Sequence, residues 1–248
     1  MDLSWNEVGG LVLLLSLTLA ALTFAGVAHR RAVLGASVRA CVQLTVVALA
    51  LRGVFAAPVA VIAVIAVMLG VAVWTAARRL GGGAGLLRVV AVAVLAGSVV
   101  SVGVIVGLPT LSRDTRTLVA VSGIVIGGTM TAATLTGRRL LTGLRTRRDE
   151  VEGWLALGAT PRVAVRPIAR QAVFEALIPA LDQTRTVGLV TLPGAFAGAL
   201  IGGAGVAEAA QFQVVVLVGL LCAEAITAVV LAHALGAPTH LPEPETDA

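Results

Sequence analysis

The sequence predicts an all-α fold, a polytopic helical bundle that spans a membrane. Of its 248 residues, 58% are hydrophobic and 12% are charged, and the mean hydropathy is +1.01. A chain with this composition cannot fold into a water-soluble domain. A bilayer core about 30 Å thick takes roughly 20 apolar residues of helix. Apolar stretches of that length follow one another along the chain, so the class is a multi-pass membrane protein.

Seven stretches are predicted to span the membrane. Their bounds are 8–28, 32–54, 57–77, 86–108, 117–137, 186–204 and 211–235. The first is interpreted as a retained helix and not a secretion signal, because Asp2 and Glu7 stand at its start where a signal would carry basic residues. Residues 1–235 form one transmembrane domain, and the Pro/Glu-rich residues 236–248 are predicted to be a short disordered tail.

The basic residues are distributed asymmetrically, which predicts the orientation. All eighteen are arginine, and most follow the first, third and fifth predicted spans, with a dense cluster between positions 138 and 170. Loops rich in arginine stay in the cytoplasm. We therefore expect the N-terminus outside the cell membrane and the C-terminus inside. This bias explains the net charge of +5, so nucleic-acid binding is not needed to account for it.

The arginine-rich cytoplasmic segment is predicted to contain a short amphipathic helix. Val151, Trp154 and Leu155 recur at helical spacing on one face. Gly158 followed by Pro161 is a typical helix end.

The charges of this helix leave two interpretations. A helix lying on anionic headgroups would place arginines toward lipid. The acidic residues Asp149, Glu150 and Glu152 favour a protein partner instead, because carboxylates gain nothing from anionic lipid. Arg148 and Glu152 lie one turn apart on a second face.

Residues 166–185 are apolar on one side and charged on the other. They are too charged for a lipid-exposed span, so we expect an interfacial or bundle-lining helix, interrupted at Pro179. With the preceding polar stretch they form a cytoplasmic coupling region, residues 138–185. If this helix crosses the bilayer, the spans number eight and the C-terminus lies outside.

Several motifs resemble one family of transport proteins. Glu152-Gly-Trp-Leu-Ala-Leu-Gly158 looks like the EAA-x-x-x-G loop of ABC-transporter permeases, and residues 151–179 followed by 188–200 resemble the FetB family of such permeases, associated with iron export. The further matches are Arg39-Ala-Cys-Val-Gln43-Leu, Gly123-Ile-Val-Ile-Gly127-Gly-Thr-Met130 and Phe212-Gln213-Val214.

The resemblance implies a permease subunit that pairs with a second copy of itself and with two soluble ATPase chains. ATP and Mg would then be held by the partner, and this chain would need no cofactor. The sequence agrees, since a chain without lysine has no G-x-x-x-x-G-K-[ST] phosphate loop, and we expect no enzyme activity. The residues expected to contact the ATPase are Arg148, Glu150, Glu152, Trp154, Leu155 and Gly158.

Polar residues inside the spans are candidates for the transport path, because a buried charge in a bilayer faces a cavity or a partner. The candidates are Arg39, Gln43, Met130 and Glu224. Each has a structural alternative. Arg39 could snorkel to the interface or pair with Glu224, and Met130 could fill a packing gap. An ATPase-independent channel or ion-coupled carrier using Arg39, Gln43 and Glu224 is the competing function.

Small residues at helical spacing predict close helix packing at Gly123, Gly127, Gly194 and Gly198, either within one bundle or between subunits. No set of residues has the spacing of a metal site. The chain departs from the family pattern in two places. Gly128 replaces an asparagine, and residues 195–199 replace a methionine-rich stretch, which weakens the case for iron as the cargo.

Overall fold

The computed structural model describes residues 5–27, 30–54, 58–107 and 114–238, and the fold within them is helical. The described residues hold nine helices and one isolated bridge between Val187 and Thr191. The helices are α1 (Trp5–Phe24), α2 (Arg30–Val54), α3 (Pro58–Arg79), α4 (Ala84–Gly107), α5 (Thr115–Thr146), α6 (Arg148–Ala156), α7 (Pro161–Thr186), α8 (Gly194–Ile201) and α9 (Val206–Leu235). The predicted all-helical class is confirmed.

The chain divides into two compact units, Met1–Ala60 and Val61–Ala248. In the first, α1 and α2 pack against each other. The second holds nearly all of α3 and every later helix, and its centre is built by α4, α5 and α9. Six helices of the described chain are long and apolar enough to cross a membrane, namely α1 to α5 and α9.

Helices α4 and α9 run antiparallel in close contact through glycines. Gly97 packs against Thr227, and further along α4 the side chain of Ile105 packs against Gly219. Because neither glycine carries a side chain, the two backbones approach closely, as is common between helices in lipid.

Helices α5 and α9 run in the same direction. Val121 and Val216 belong to one buried cluster, and about two turns further along both helices Gly128 faces Glu224. Two parallel helices need a return passage of the chain between them.

That passage is made by α7 and α8. Helix α7 begins beside the end of α5 and runs back along it, where Arg139 and Glu175 form a salt bridge of 3.1 Å. At the far end, the backbone N–H of Phe196 in α8 donates to Oε1 of Gln213, near the start of α9. A helix of 26 residues is about 39 Å long, so α7 covers most of the distance.

The predicted sixth span, residues 186–204, is wrong. Helix α7 ends at Thr186, a non-helical stretch follows, and α8 has only eight residues. Gly188 at φ +79° and Pro193 before α8 break the helix there. The sequence placed the return of the chain along the bundle in residues 186–204. The structure shows that this return begins earlier, in the charged helix α7. The orientation of the termini stays a prediction.

The predicted interruption at Pro179 is also wrong, because α7 continues through both Pro167 and Pro179. A proline inside a helix costs about 3 kcal/mol. Burial of Ala172, Ala176 and Ala180 at four-residue spacing offsets this cost by packing α7 closely on its neighbours. The bundle-lining position of 166–185 is confirmed. Of the predicted tail, 239–248 lies outside the described residues.

Candidate functional site

Helix α6 is held to the rest of the protein by one buried side chain. Val151 is 1% exposed, and it packs in a cluster with Leu140 and Leu144 of α5 and Val165 and Ile168 of α7. This anchor fixes where α6 lies relative to the two long helices beside it.

The apolar residues that follow Val151 point elsewhere. Trp154 is 45% exposed, and Leu155 and Leu157 are exposed as well. Helix α6 ends at Ala156, and Gly158 adopts φ +88°, a left-handed conformation that favours glycine. Its N–H donates to the carbonyl of Leu155. The predicted helix and its end are confirmed, and the helix presents an uncovered apolar edge.

The charges of α6 pair with arginines at its start. Arg148 Nε donates to Glu152 Oε1 at 2.6 Å. Arg147 donates two hydrogen bonds, of 2.8 and 2.9 Å, to the carboxylate of Glu150. Exposed pairs of this kind contribute about 0.2 to 1 kcal/mol each, so they orient the helix more than they stabilise it.

A chain of polar contacts continues from α6 into α7 and α5. Arg147 also donates to Gln171 Oε1 at 3.4 Å. Gln171 in turn donates to Glu175 at 2.9 Å, and Glu175 is the carboxylate that pairs with Arg139. The start of α6 is therefore joined to both long helices.

A second polar group lies inside the bundle. Ser98 of α4 and Thr129 of α5 share a hydrogen bond of 3.1 Å, and Thr227 of α9 donates to the carbonyl of Ala223. All three hydroxyl-bearing side chains are buried. Sequence reasoning missed this layer, although Thr129 stands inside a glycine-rich motif that it singled out.

Glu224 lies at the edge of this layer and is 8% exposed. Its carboxyl group makes no hydrogen bond or ion pair with any residue that the structure describes. Room for it comes from Gly128, where a Cβ would lie 2.7 Å from Glu224 Oε1. Glu224 and Arg39 belong to different units, so their pairing stays a prediction.

The remaining path candidates are Arg39, Gln43 and Met130. Arg39 and Gln43 are exposed on α2, one turn apart. Met130 packs against the cluster that includes Ala133 and Leu231, which fits a gap-filling side chain. Within the described residues, no group of three His, Cys, Asp or Glu side chains is placed to hold a metal ion.

The expected glycine contacts are only partly present. A Cβ at Gly123 would lie 3.0 Å from Met68 Cε. Among the described residues nothing lies within 4 Å of a Cβ at Gly127, Gly194 or Gly198, so packing at these three glycines stays a prediction. The glycines in tight contact are instead Gly97, Gly128, Gly137, Gly143 and Gly219, because helix rotation decides which glycine faces a neighbour.

These observations define a multi-pass helical membrane protein with a short amphipathic helix at the end of α5 and a buried polar layer. The chain belongs to the uncharacterised protein family UPF0014, whose model matches residues 5–238.

Relatives in this family come from plants and bacteria. The chain is 35% identical to the UPF0014 membrane protein STAR2 of Oryza sativa subsp. japonica over 196 residues, 78% of this chain and 69% of the relative. It is 30% identical to the UPF0014 membrane protein YjkA of Bacillus subtilis over 79% of each chain.

A third relative carries a functional description. The chain is 26% identical over 197 residues, 79% of this chain and 76% of the relative, to the "probable iron export permease protein FetB" of Escherichia coli. The resemblance to the FetB family is therefore confirmed. No solved structure matches the chain.

Proposed function

We propose that this chain is the permease subunit of an ABC transporter and that a separate ATPase subunit docks on α6. The observation that carries the proposal is the geometry of α6. One side chain, Val151, anchors the helix in the bundle, while Trp154 and Leu155 beside it stay uncovered. An anchored helix with an exposed aromatic residue suits a groove on another protein.

The charge of α6 favours a protein groove over a lipid surface. Between Arg148 and Ala156 one arginine stands against three carboxylates. A helix that lies on anionic headgroups needs an excess of basic residues on its polar face. Helix α6 carries a net negative charge, so anionic headgroups would repel it.

The contacts around Arg147 support a route for transmitting force. A displacement of α6 would act on α7 through Gln171 and on α5 through the Arg139–Glu175 pair. Tilting of these long helices as rigid bodies would open the bundle alternately to the two sides.

A second copy of the chain is part of the proposal. The non-helical stretch after α7 exposes Leu189, Val190 and Leu192. Non-helical backbone within a bilayer has to be covered by protein or line a water-filled cavity. A homodimer in which this stretch meets the partner copy satisfies that requirement.

We propose export of a metal ion or another small solute as the transport activity. The FetB relative's description names iron export, and the polar layer of Ser98, Thr129 and Glu224 lies inside the bundle where a path would run.

The proposed path residues also include Arg39, Gln43 and Met130. Residues 195–199 offer no thioether ligand, so a cargo that needs soft ligands is disfavoured.

The proposal is tested by measuring how much ATPase co-purifies with the permease. The first step is to identify a soluble ATPase with a phosphate loop in a neighbouring reading frame. That ATPase is then co-expressed with this chain, and the complex is purified through the permease. Trp154→Asp is expected to lower ATPase recovery at least about tenfold, as removal of a buried aromatic anchor does. The control Arg88→Asp also changes charge at an exposed position, and it should retain the ATPase.

Two outcomes contradict the proposal. Trp154→Asp could leave both ATPase recovery and transport unchanged. Alternatively, the purified chain alone could transport solute in liposomes without ATP, which is what the channel or carrier predicts.

A further inference from the structure

A cavity of about 590 Å³ lies between the first half of α7 and the last turns of α9. Three arginines of α7, Arg162, Arg166 and Arg170, line it together with His233 of α9. Their four-residue spacing places the guanidinium groups on one face of α7, about 6 Å apart along the helix axis. The apolar part of the lining is formed by Val163, Ala169, Val173, Val229 and Ala232.

Within the described residues, no carboxylate compensates the positive charge of this cavity. None of the described residues that line it is acidic. Arg162 Nη1 lies 2.9 Å from His233 Nε2, and Arg166 and Arg170 make no hydrogen bond or ion pair with the described residues. By contrast, Arg139, Arg147 and Arg148 nearby each pair with a carboxylate.

The helix dipoles do not remove this charge. The start of α7 contributes about half a positive unit and the end of α9 about half a negative unit. These two cancel, while the three guanidinium groups keep three full charges.

We propose that this cavity binds the phosphate group of an anionic lipid or of a small phosphate compound. Guanidinium groups form paired hydrogen bonds with phosphate oxygens, and two arginines one turn apart can hold one phosphate between them. Basic pockets between membrane helices recognise anionic headgroups in this way. The site does not depend on the proposed transport function.

The surroundings of the cavity accommodate an acyl chain below the phosphate. Beyond Arg170 the same side of α7 continues with Val173 and Phe174, and Phe174 is 62% exposed. Val229 of α9 lies in the cavity wall and is exposed as well. An arginine row that leads into an apolar surface matches the order of headgroup and tail in a phospholipid.

The experiment measures binding of phosphatidylglycerol to the purified full-length chain in phosphatidylcholine nanodiscs. Arg166→Gln combined with Arg170→Gln is expected to reduce the preference for phosphatidylglycerol over phosphatidylcholine about tenfold. The matched control is Arg79→Gln combined with Arg88→Gln, which removes two exposed arginines elsewhere. This control should change the preference less than twofold, and an equal loss in both double variants would overturn the site.

A competition distinguishes the two sources of phosphate. If millimolar inorganic phosphate or glycerol phosphate displaces the labelled lipid, the site takes small phosphate compounds. If only anionic lipid competes, the apolar wall is part of recognition and the ligand is a lipid headgroup.

A second measurement uses the unaltered protein, so it does not depend on folding of the variants. Phenylglyoxal modifies accessible arginines, and mass spectrometry locates the adducts. Phosphatidylglycerol or inorganic phosphate should protect Arg166 and Arg170 several-fold and leave Arg79 and Arg88 unprotected. Equal modification of all four with and without these anions would contradict the proposal.

Discussion

Gly128 of α5 faces Glu224 of α9 so closely that a Cβ at position 128 would lie 2.7 Å from Glu224 Oε1. The buried carboxyl group therefore depends on the absence of a side chain across the helix contact. No larger side chain could be placed at position 128 without moving both Glu224 and Leu220, which also meets this position. Gly128 and the buried glutamate are therefore two parts of one local arrangement.

Gly128→Ala is expected to destabilise the protein by about 1 to 3 kcal/mol, the usual cost of overpacking a filled contact. The matched control is Gly127→Ala, because a Cβ at Gly127 has nothing within 4 Å. That variant should be neutral or more stable by up to about 1 kcal/mol, since alanine favours helix over glycine. Unfolding of both variants in mild detergent, followed by circular dichroism, measures the difference. Equal stability of the two variants would contradict the contact.

The polar contacts of Arg147 predict local control of α6. Gln171→Ala removes the link between Arg147 and Glu175, so amide hydrogen exchange in residues 148–156 should accelerate several-fold. Global stability should fall by less than about 1 kcal/mol, because the contacts are exposed. Gln183→Ala is the control on the same helix, at an exposed position further from α6. If both variants exchange alike in α6, the contact with Gln171 does not hold this helix.

Asp114 predicts a pH dependence at the start of α5. Hydrogen bonds from Thr117, through its side chain and then its backbone amide, lower the pKa of Asp114 below the ordinary 3.8, and Arg116 adds to this. A lowered pKa means that the folded state favours the carboxylate. Its contribution to stability is present above the ordinary pKa of 3.8 and is lost as the pH falls through the lowered folded-state pKa.

Asp114→Ala should therefore cost about 0.5 to 2 kcal/mol near pH 7, the usual effect of losing an N-cap residue. The difference from the parent should shrink as the pH falls below 3.8 and through the lowered folded-state pKa of Asp114. Asp114→Asn keeps a capping oxygen without the charge, so it should cost less than Asp114→Ala, and the difference in stability between these two variants should not vary with pH. Denaturant unfolding at pH 7, 5 and 3.5 provides the measurement, and a constant cost for Asp114→Ala would rule this out.

Much of the fold follows from the sequence because hydropathy and charge act over whole segments. Six candidate spans and the short helix α6 coincide with predicted elements. The passage after α6 was misplaced because the composition of 166–185 is too polar for lipid, whereas α7 lies against α5 and α9. Contact with protein permits charges that a lipid-facing span could not carry.

The site was less predictable because its contacts depend on helix rotation. Gly127 and Gly128 are adjacent in sequence, yet within the described part of the chain only Gly128 meets another helix. Ser98 and Thr129 come from different helices, and the spacing of residues within one helix contains no information about such a pair. The sequence shows the arginines from Arg162 to Arg170 as a run of positive charge. The cavity that they line forms only because α9 lies beside α7.

Gly158 allows a last comparison that separates the conformation of the backbone from the surface of α6. It adopts φ +88°, and no neighbouring atom would meet a Cβ there. An L-residue in this conformation costs roughly 1 to 2 kcal/mol, so Gly158→Ala should loosen the end of α6 and displace Trp154.

Gly153, in the middle of α6, also has open space and has no positive φ. Gly153→Ala should therefore stabilise α6 by up to about 1 kcal/mol. Hydrogen exchange of residues 148–156 should accelerate in the first variant and slow in the second. ATPase recovery should follow the same order if the position of Trp154 determines docking, and recovery that is equal in both variants would separate docking from the order of α6.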